Sequence, residues 1–158
     1  LKKIDRIVAV SESVQKQLDQ CGLNSNVITN TIDDVLVGRK IFRDKASEIG
    51  DNNASNPLVF VAINSRLPGK NVEFICEAFR DAGNPRSLLI VLGFFDQALK
   101  DKYRPYNVVF VGEVKDVGIW YLGCDVFVSS SLHEGMPNAP LEALAIGLFV
   151  GITVTSNL

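Results

Sequence analysis

The stretch SSSLHEGMPNAPLEALAIG, residues 129–147, decides how this chain reads. The apolar run that leads into it, residues 125–129, has the character of a buried strand, and it gives way to a loop carrying Glu134. Small and apolar residues then run to Gly147, the pattern of a helix closed by glycine. Pro137 and Pro140 fall in its first turn, where a missing N–H costs little. The other donors there, near Gly135, Met136 and Asn138, have no partner inside the helix and face outward as an anion site. Glu134 before the helix and Glu142 within it can accept hydrogen bonds from sugar hydroxyls. Together these features point to a sugar attached to a phosphate. Leu141, Leu144 and Ala145 are expected to form the buried stripe of the helix, with Glu142 beside it and looking into the cleft.

Outward from this stretch, short β-rich runs alternate with helical ones. Residues 4–10 read as a strand, and Ser11 as the cap of a helix that places Val14 and Leu18 on one face and ends at Gly22. A short strand at 26–29 leads into an Asn-Thr-Ile-Asp turn. Residues 34–57 are the least periodic, with one short helix expected near 44–49. The pattern then sharpens. Strands are expected at 58–63, 87–92, 107–111 and 125–129, with a last one from Leu148. Between them lie a helix capped by Asn71 with Phe74, Ile75, Ala78 and Phe79 on one side, a helix carrying Leu99 and Tyr103, and a short helix capped by Asp116. Near-continuous apolar strands separated by helices indicate a parallel sheet covered on both faces. The expected fold is α/β, a Rossmann-like doubly wound sheet with right-handed crossovers and its ligand at the carboxyl ends of the strands. Those ends carry Arg66, Gly93, Gly112 and the 129–134 loop.

With 158 residues the chain is long enough for one domain with a substantial core. A formal charge of -2 gives no global attraction to nucleic acid or to an anionic membrane, so no nucleic-acid partner is expected and any anion must be held by local donors. Cys21, Cys76 and Cys124 form no CxxC pair or Cys/His cluster, which argues against zinc and for buried free thiols of a reducing compartment. No apolar run approaches the roughly 20 residues that span a bilayer. Both ends have the look of a cut from something longer. Asn53-Ala54-Ser55 matches a glycosylation sequon that a cytoplasmic setting leaves unused. His133, the one histidine, reads as a side chain that packs or lines the pocket more readily than as a metal ligand.

The run from Ser131 to Gly147, with Glu134-Gly-Met-Pro-Asn and then Glu142-Ala-Leu-Ala-Ile-Gly, resembles the signature of the retaining GT-B glycosyltransferases of family 4, the glycosyl transferases group 1. The likeness extends along most of the chain. IDRIVAVSESVQKQL is similar to the family's last strand and helix before its domain crossover. SRLPGKNVEFICEAF is similar to its Arg/Lys segment, although four positions separate Arg66 from Lys70 where the family has five or six. Thr31 stands where the family's turn carries glycine.

The resemblance implies a division into the end of an N-terminal half and crossover at 1–25 and a nucleotide-sugar-binding domain at 26–158. It implies that Glu134 holds the transferred sugar, Glu142 the ribose, and Arg66 and Lys70 the diphosphate, with Gly135, Met136, Pro137, Asn138 and His133 around them. Backbone near Gly112 and Val114 would border the base. An exposed lysine in a turn is the competing reading of Lys70. The implied reaction is metal-independent hexosyl transfer from a nucleotide-diphospho-sugar, with no further cofactor, in polysaccharide or lipopolysaccharide assembly. The acceptor, a saccharide or lipid-linked one, would be held by a missing N-terminal domain. The implied setting is cytoplasmic, with peripheral membrane association of a full-length enzyme, and this span alone is expected to bind donor without turnover. Two other readings stay open: another GT-B enzyme such as a nucleotide-sugar epimerase or a phosphorylase, and a non-catalytic nucleotide-binding α/β domain.

Overall fold

The computed structural model describes residues 8–9, 11–28, 57–65, 69–134 and 136–153. The expected turn at 30–33, the expected helix near 44–49, and Arg66 and Gly135 lie outside the described residues. The elements run β1 (Val8–Ala9), α1 (Glu12–Gln20), β2 (Asn26–Val27), β3 (Leu58–Asn64), α2 (Val72–Ala82), β4 (Ser87–Gly93), α3 (Gln97–Tyr103), a 3-10 turn (Arg104–Tyr106), β5 (Val108–Gly112), α4 (Val117–Leu122), β6 (Val126–Ser129), α5 (Asn138–Ile146) and β7 (Phe149–Ile152).

β1 and β2 form a small parallel pair. The other five strands form one parallel sheet in the order β5-β4-β3-β6-β7. The chain winds outward from β3 to β5 and then returns to lay β6 on the other side of β3. That reversal makes the crevice between the carboxyl ends of β3 and β6 the topological switch point, the expected ligand position in such a sheet.

Alternation of side chains along each strand feeds two cores. Val59, Val61, Leu88, Ile90 and Leu92 face one side, where they pack with Tyr121, Phe127, Ala143 and Ile146 beneath α4 and α5. Ala62, Leu89 and Val91 face the other, with Val72, Cys76, Tyr103 and Phe110 beneath α2 and α3. Both faces of β4 are therefore dry, which explains its unbroken apolar sequence LLIVL. Ser11, Asp96 and Asp116 cap α1, α3 and α4 through side-chain oxygens that accept from Val14, Leu99 and Ile119 N–H groups.

Four local expectations need correction. Asn71 precedes α2 but makes no side-chain cap hydrogen bond, and its backbone is left-handed at φ 50°. Its carbonyl accepts from the Ser130 hydroxyl at 2.6 Å, so a contact from a distant loop holds it in that conformation. On α2, Phe74 is exposed; Val72, Ile75, Cys76 and Phe79 form the inner face at helical spacing. On α5 the buried residues are Pro140, Ala143 and Ile146, whereas Leu144 is exposed. That helix is apolar nearly all round, so its periodicity selected no face, and packing on Tyr121 and Phe127 decides it. Cys21, expected to be buried, is exposed at the end of α1, a helix that buries no residue completely. Cys76 and Cys124 are buried free thiols as expected.

Candidate active site

Three segments converge on the switch point: the loop after β3, the loop after β6 and the start of α5. Backbone and side-chain hydrogen bonds join the two loops. The Leu132 N–H donates to the Gly69 carbonyl at 2.7 Å. The Ser130 hydroxyl, with its residue 1% exposed, reaches the carbonyls of Asn71 at 2.6 Å and Lys70 at 3.2 Å. One hydroxyl hydrogen serves both, and the shorter contact carries most of the interaction. These bonds fix the backbone on either side of Lys70.

Held in this way, the Lys70 ammonium donates to a Glu134 carboxylate oxygen across 64 positions of sequence. Their side chains are 30% and 21% exposed, so water still reaches the pair and it is not a sealed ion pair. The two residues line a cleft of about 340 Å³ together with Ile63 of β3, Phe127 and Ser129 of β6, and residues 136–140. Its volume lies within the range of small-ligand sites. One wall is apolar, one is the opening turn of α5, and Lys70 and Glu134 supply the charges among the described lining residues.

The start of α5 is not capped by a side chain: Pro137 stands at the cap position with extended backbone, and Asn138 opens the helix. First-turn N–H groups and the positive end of the helix dipole thus border the cleft. Tyr121 supports this turn from below. Its hydroxyl donates to the Ala139 carbonyl at 3.4 Å, and its ring meets Phe127 edge to face. Burial, and after it the charge of Glu142, pushes the Tyr121 hydroxyl well above its ordinary range.

The structure therefore brings together Lys70, Glu134, Met136, Pro137 and Asn138. Among the described residues, four other candidates are not walls of this cleft. Glu142 is half-buried on α5, where its field reaches Tyr121. His133 is exposed on the loop. Gly112 ends β5, two strands away from β3, with a φ of 98°. Val114 packs against the core under α4. Among the described residues no group of three His, Cys, Asp or Glu side chains could hold a metal ion. None of the described helices is long and apolar enough to cross a membrane.

Two positioning residues were not legible in the sequence. Ser130 sits in a run of three serines, of which Ser130 and Ser131 are both buried, and nothing in that run distinguishes the one that reaches the loop after β3. Asn64 bridges the ends of β3 and β4: its amide donates to the Phe94 carbonyl, and its side-chain oxygen accepts from the Ser65 N–H at 3.0 Å. A polar residue closing an apolar strand was the available signal for it.

Comparison with known proteins establishes the family and the fold. The profile of the family described as "Glycosyl transferases group 1" matches residues 56–157. The chain belongs to the glycosyl transferases group 1 family. A curated relative, the Vi polysaccharide biosynthesis protein VipC/TviE of Salmonella typhi, is 25% identical over 118 residues, covering 71% of this chain and 20% of that protein. The crystal structure of Anabaena HepE in complex with UDP-glucose superposes with a TM-score of 0.77 at 17% identity, covering 99% of this chain and 46% of HepE. WaaG, a glycosyltransferase involved in lipopolysaccharide biosynthesis, superposes with a TM-score of 0.75 at 18% identity, covering 96% of this chain and 45% of WaaG. The fold is thus the α/β, Rossmann-like one found in GT-B glycosyltransferases. This member of the family spans about a fifth of the curated relative's length and under half of these two structures.

Proposed function

We propose that this chain is the donor-binding half of a retaining, metal-independent family 4 glycosyltransferase, one that moves a hexose from a nucleotide-diphospho-sugar to a saccharide or lipid-linked acceptor. The observation that carries the reading is the Lys70–Glu134 pair facing the uncapped start of α5 across a cleft at the switch point. In this reading the ammonium of Lys70 and the amides of the α5 start take the diphosphate, whose charge grows as the sugar leaves. The Arg66 guanidinium adds a second cation by resemblance to the family. Glu134 orients the hexose by accepting from its hydroxyls. The positive charges do for the leaving group what a divalent ion would otherwise do, so the reaction requires no metal and no further cofactor.

Other support comes from the similar proteins. HepE is described with UDP-glucose, WaaG in lipopolysaccharide biosynthesis and VipC/TviE in Vi polysaccharide biosynthesis. Assembly of a cell-surface polysaccharide or lipopolysaccharide is the corresponding role here, in a cytoplasmic setting, with acceptor and any peripheral membrane contact handled by another part of a longer enzyme. The ribose role of Glu142 belongs to the same reading and requires its carboxylate to swing from the α5 surface to the nucleoside. The 158-residue span binds donor but does not turn it over.

Calorimetric titration of UDP, GDP, ADP and their hexose derivatives tests this. One nucleotide series should bind wild type, and Lys70→Gln should weaken it about tenfold or more, the scale of one charge-assisted contact to phosphate. Glu142→Ala should weaken the same series. Failure of every nucleotide to bind overturns the proposal. Equal affinity in wild type and Glu142→Ala removes the ribose role alone, and hexosyl transfer by this span would refute its inactivity.

A further inference from the structure

Lys70 is already paired before any donor arrives. A phosphate that takes its ammonium must displace the Glu134 carboxylate, and that carboxylate stays in the same cleft with its charge exposed to the newcomer. Two kinds of ligand meet different consequences. A diphosphate that carries a sugar brings hydroxyl donors that occupy the released carboxylate. A diphosphate without a hexose on its terminal phosphate brings only negative charge to Glu134, and two like charges then share a partly desolvated space. Glu134 and Lys70 are the anion and the cation among the described lining residues, so the carboxylate that Lys70 releases is the one that faces the incoming phosphate there.

We propose that Glu134 is a specificity-determining residue that lowers the affinity of the site for diphosphates whose terminal phosphate carries no hexose by competing with them for Lys70. The inference rests on the reading of this cleft as the donor site. It gives the carboxylate a second task besides holding the sugar: discrimination against the spent nucleotide, which favours its release. The tether through Ser130 and Gly69 contributes by keeping Lys70 within reach of Glu134 and restricting its other positions.

A double-mutant cycle on the 158-residue chain tests it. Sodium pyrophosphate, UDP and UDP-glucose are titrated by calorimetry against wild type, Glu134→Gln, Lys70→Gln and the double variant, with thermal melts to show that each is folded. An ion pair of this exposure corresponds to about a fivefold effect. Glu134→Gln is therefore expected to bind pyrophosphate and UDP about fivefold tighter, and UDP-glucose no tighter than wild type. On the Lys70→Gln background the gain should vanish. A gain of equal size on that background shows a diffuse charge effect and overturns the proposal. So does a Glu134→Gln variant that binds pyrophosphate no better than wild type while UDP-glucose still binds. If none of the three ligands binds any variant, the donor-site reading falls and this inference falls with it.

Discussion

Replacing Gly93 by alanine puts a methyl carbon 2.0 Å from the Asn64 carbonyl oxygen, where β4 ends against β3. No flexible side chain is there to yield, because the obstacle is backbone. The residue also sits at φ 103°, in the region that side chains rarely adopt. Gly112 provides the control. Its φ is 98°, yet a methyl group there meets nothing within 4 Å. Positive φ costs about 1–2 kcal/mol at either position. Overpacking adds about 1–3 kcal/mol at Gly93 alone. The change in unfolded-chain entropy is the same for both substitutions and cancels in the comparison. Gly93→Ala should therefore lose about 2–5 kcal/mol and Gly112→Ala about 1–2 kcal/mol, against a total of about 5–15 kcal/mol for an ordinary domain. Urea titration followed by circular dichroism measures both. Gly93→Ala should melt several degrees lower than Gly112→Ala, with about 2–4 °C for each kcal/mol of difference. Equal losses would refute the close approach of β4 to Asn64, and with it the account of how the carboxyl end of β3 is held.

Other outcomes can be stated briefly. Ser130→Ala should cost about 1–2 kcal/mol in urea denaturation, because the carbonyls of Asn71 and Lys70 lose the buried hydroxyl that joins them to the loop after β6; it should also weaken UDP binding by loosening Lys70, and an unchanged affinity would show that the tether does not set the site. Burial, aided at Cys76 by Glu73, pushes the Cys76 and Cys124 thiols up to about 12. In the unfolded chain they ionise near about 8.5, so their contribution is complete below that pH and is lost as pH rises toward 12, by up to about 1.4 kcal/mol per pH unit for each thiol. Urea midpoints that stay flat between pH 8 and 11 would contradict this. A chromogenic disulfide reagent should label exposed Cys21 promptly, and Cys76 and Cys124 only as the chain unfolds; rapid labelling of all three would contradict their burial.

What the sequence determined by itself was the class of fold and the segment that forms one wall of the candidate cleft. Strands dry on both faces must be apolar at nearly every position, and LLIVL of β4 shows it without knowledge of any neighbour. Helix starts at Ser11, Asp96 and Asp116 depend on contacts three residues away, so those for Ser11 and Asp116 were read directly, as was Gly147 after α5. Glu134 and residues 136–138, which line the cleft, lie close together in the sequence, so local reading could group them.

Tertiary structure alone decided the rest. Order β5-β4-β3-β6-β7 depends on which strands dock, and only that order turns the loops after β3 and β6 toward each other. The face that α5 buries depends on Tyr121 and Phe127, because the helix itself is apolar around most of its circumference. The pairing of Lys70 with Glu134, and the hydroxyl of Ser130 that makes it reproducible, join residues about sixty positions apart. Local spacing carries no information over that distance, since it is the fold that closes the loop between them.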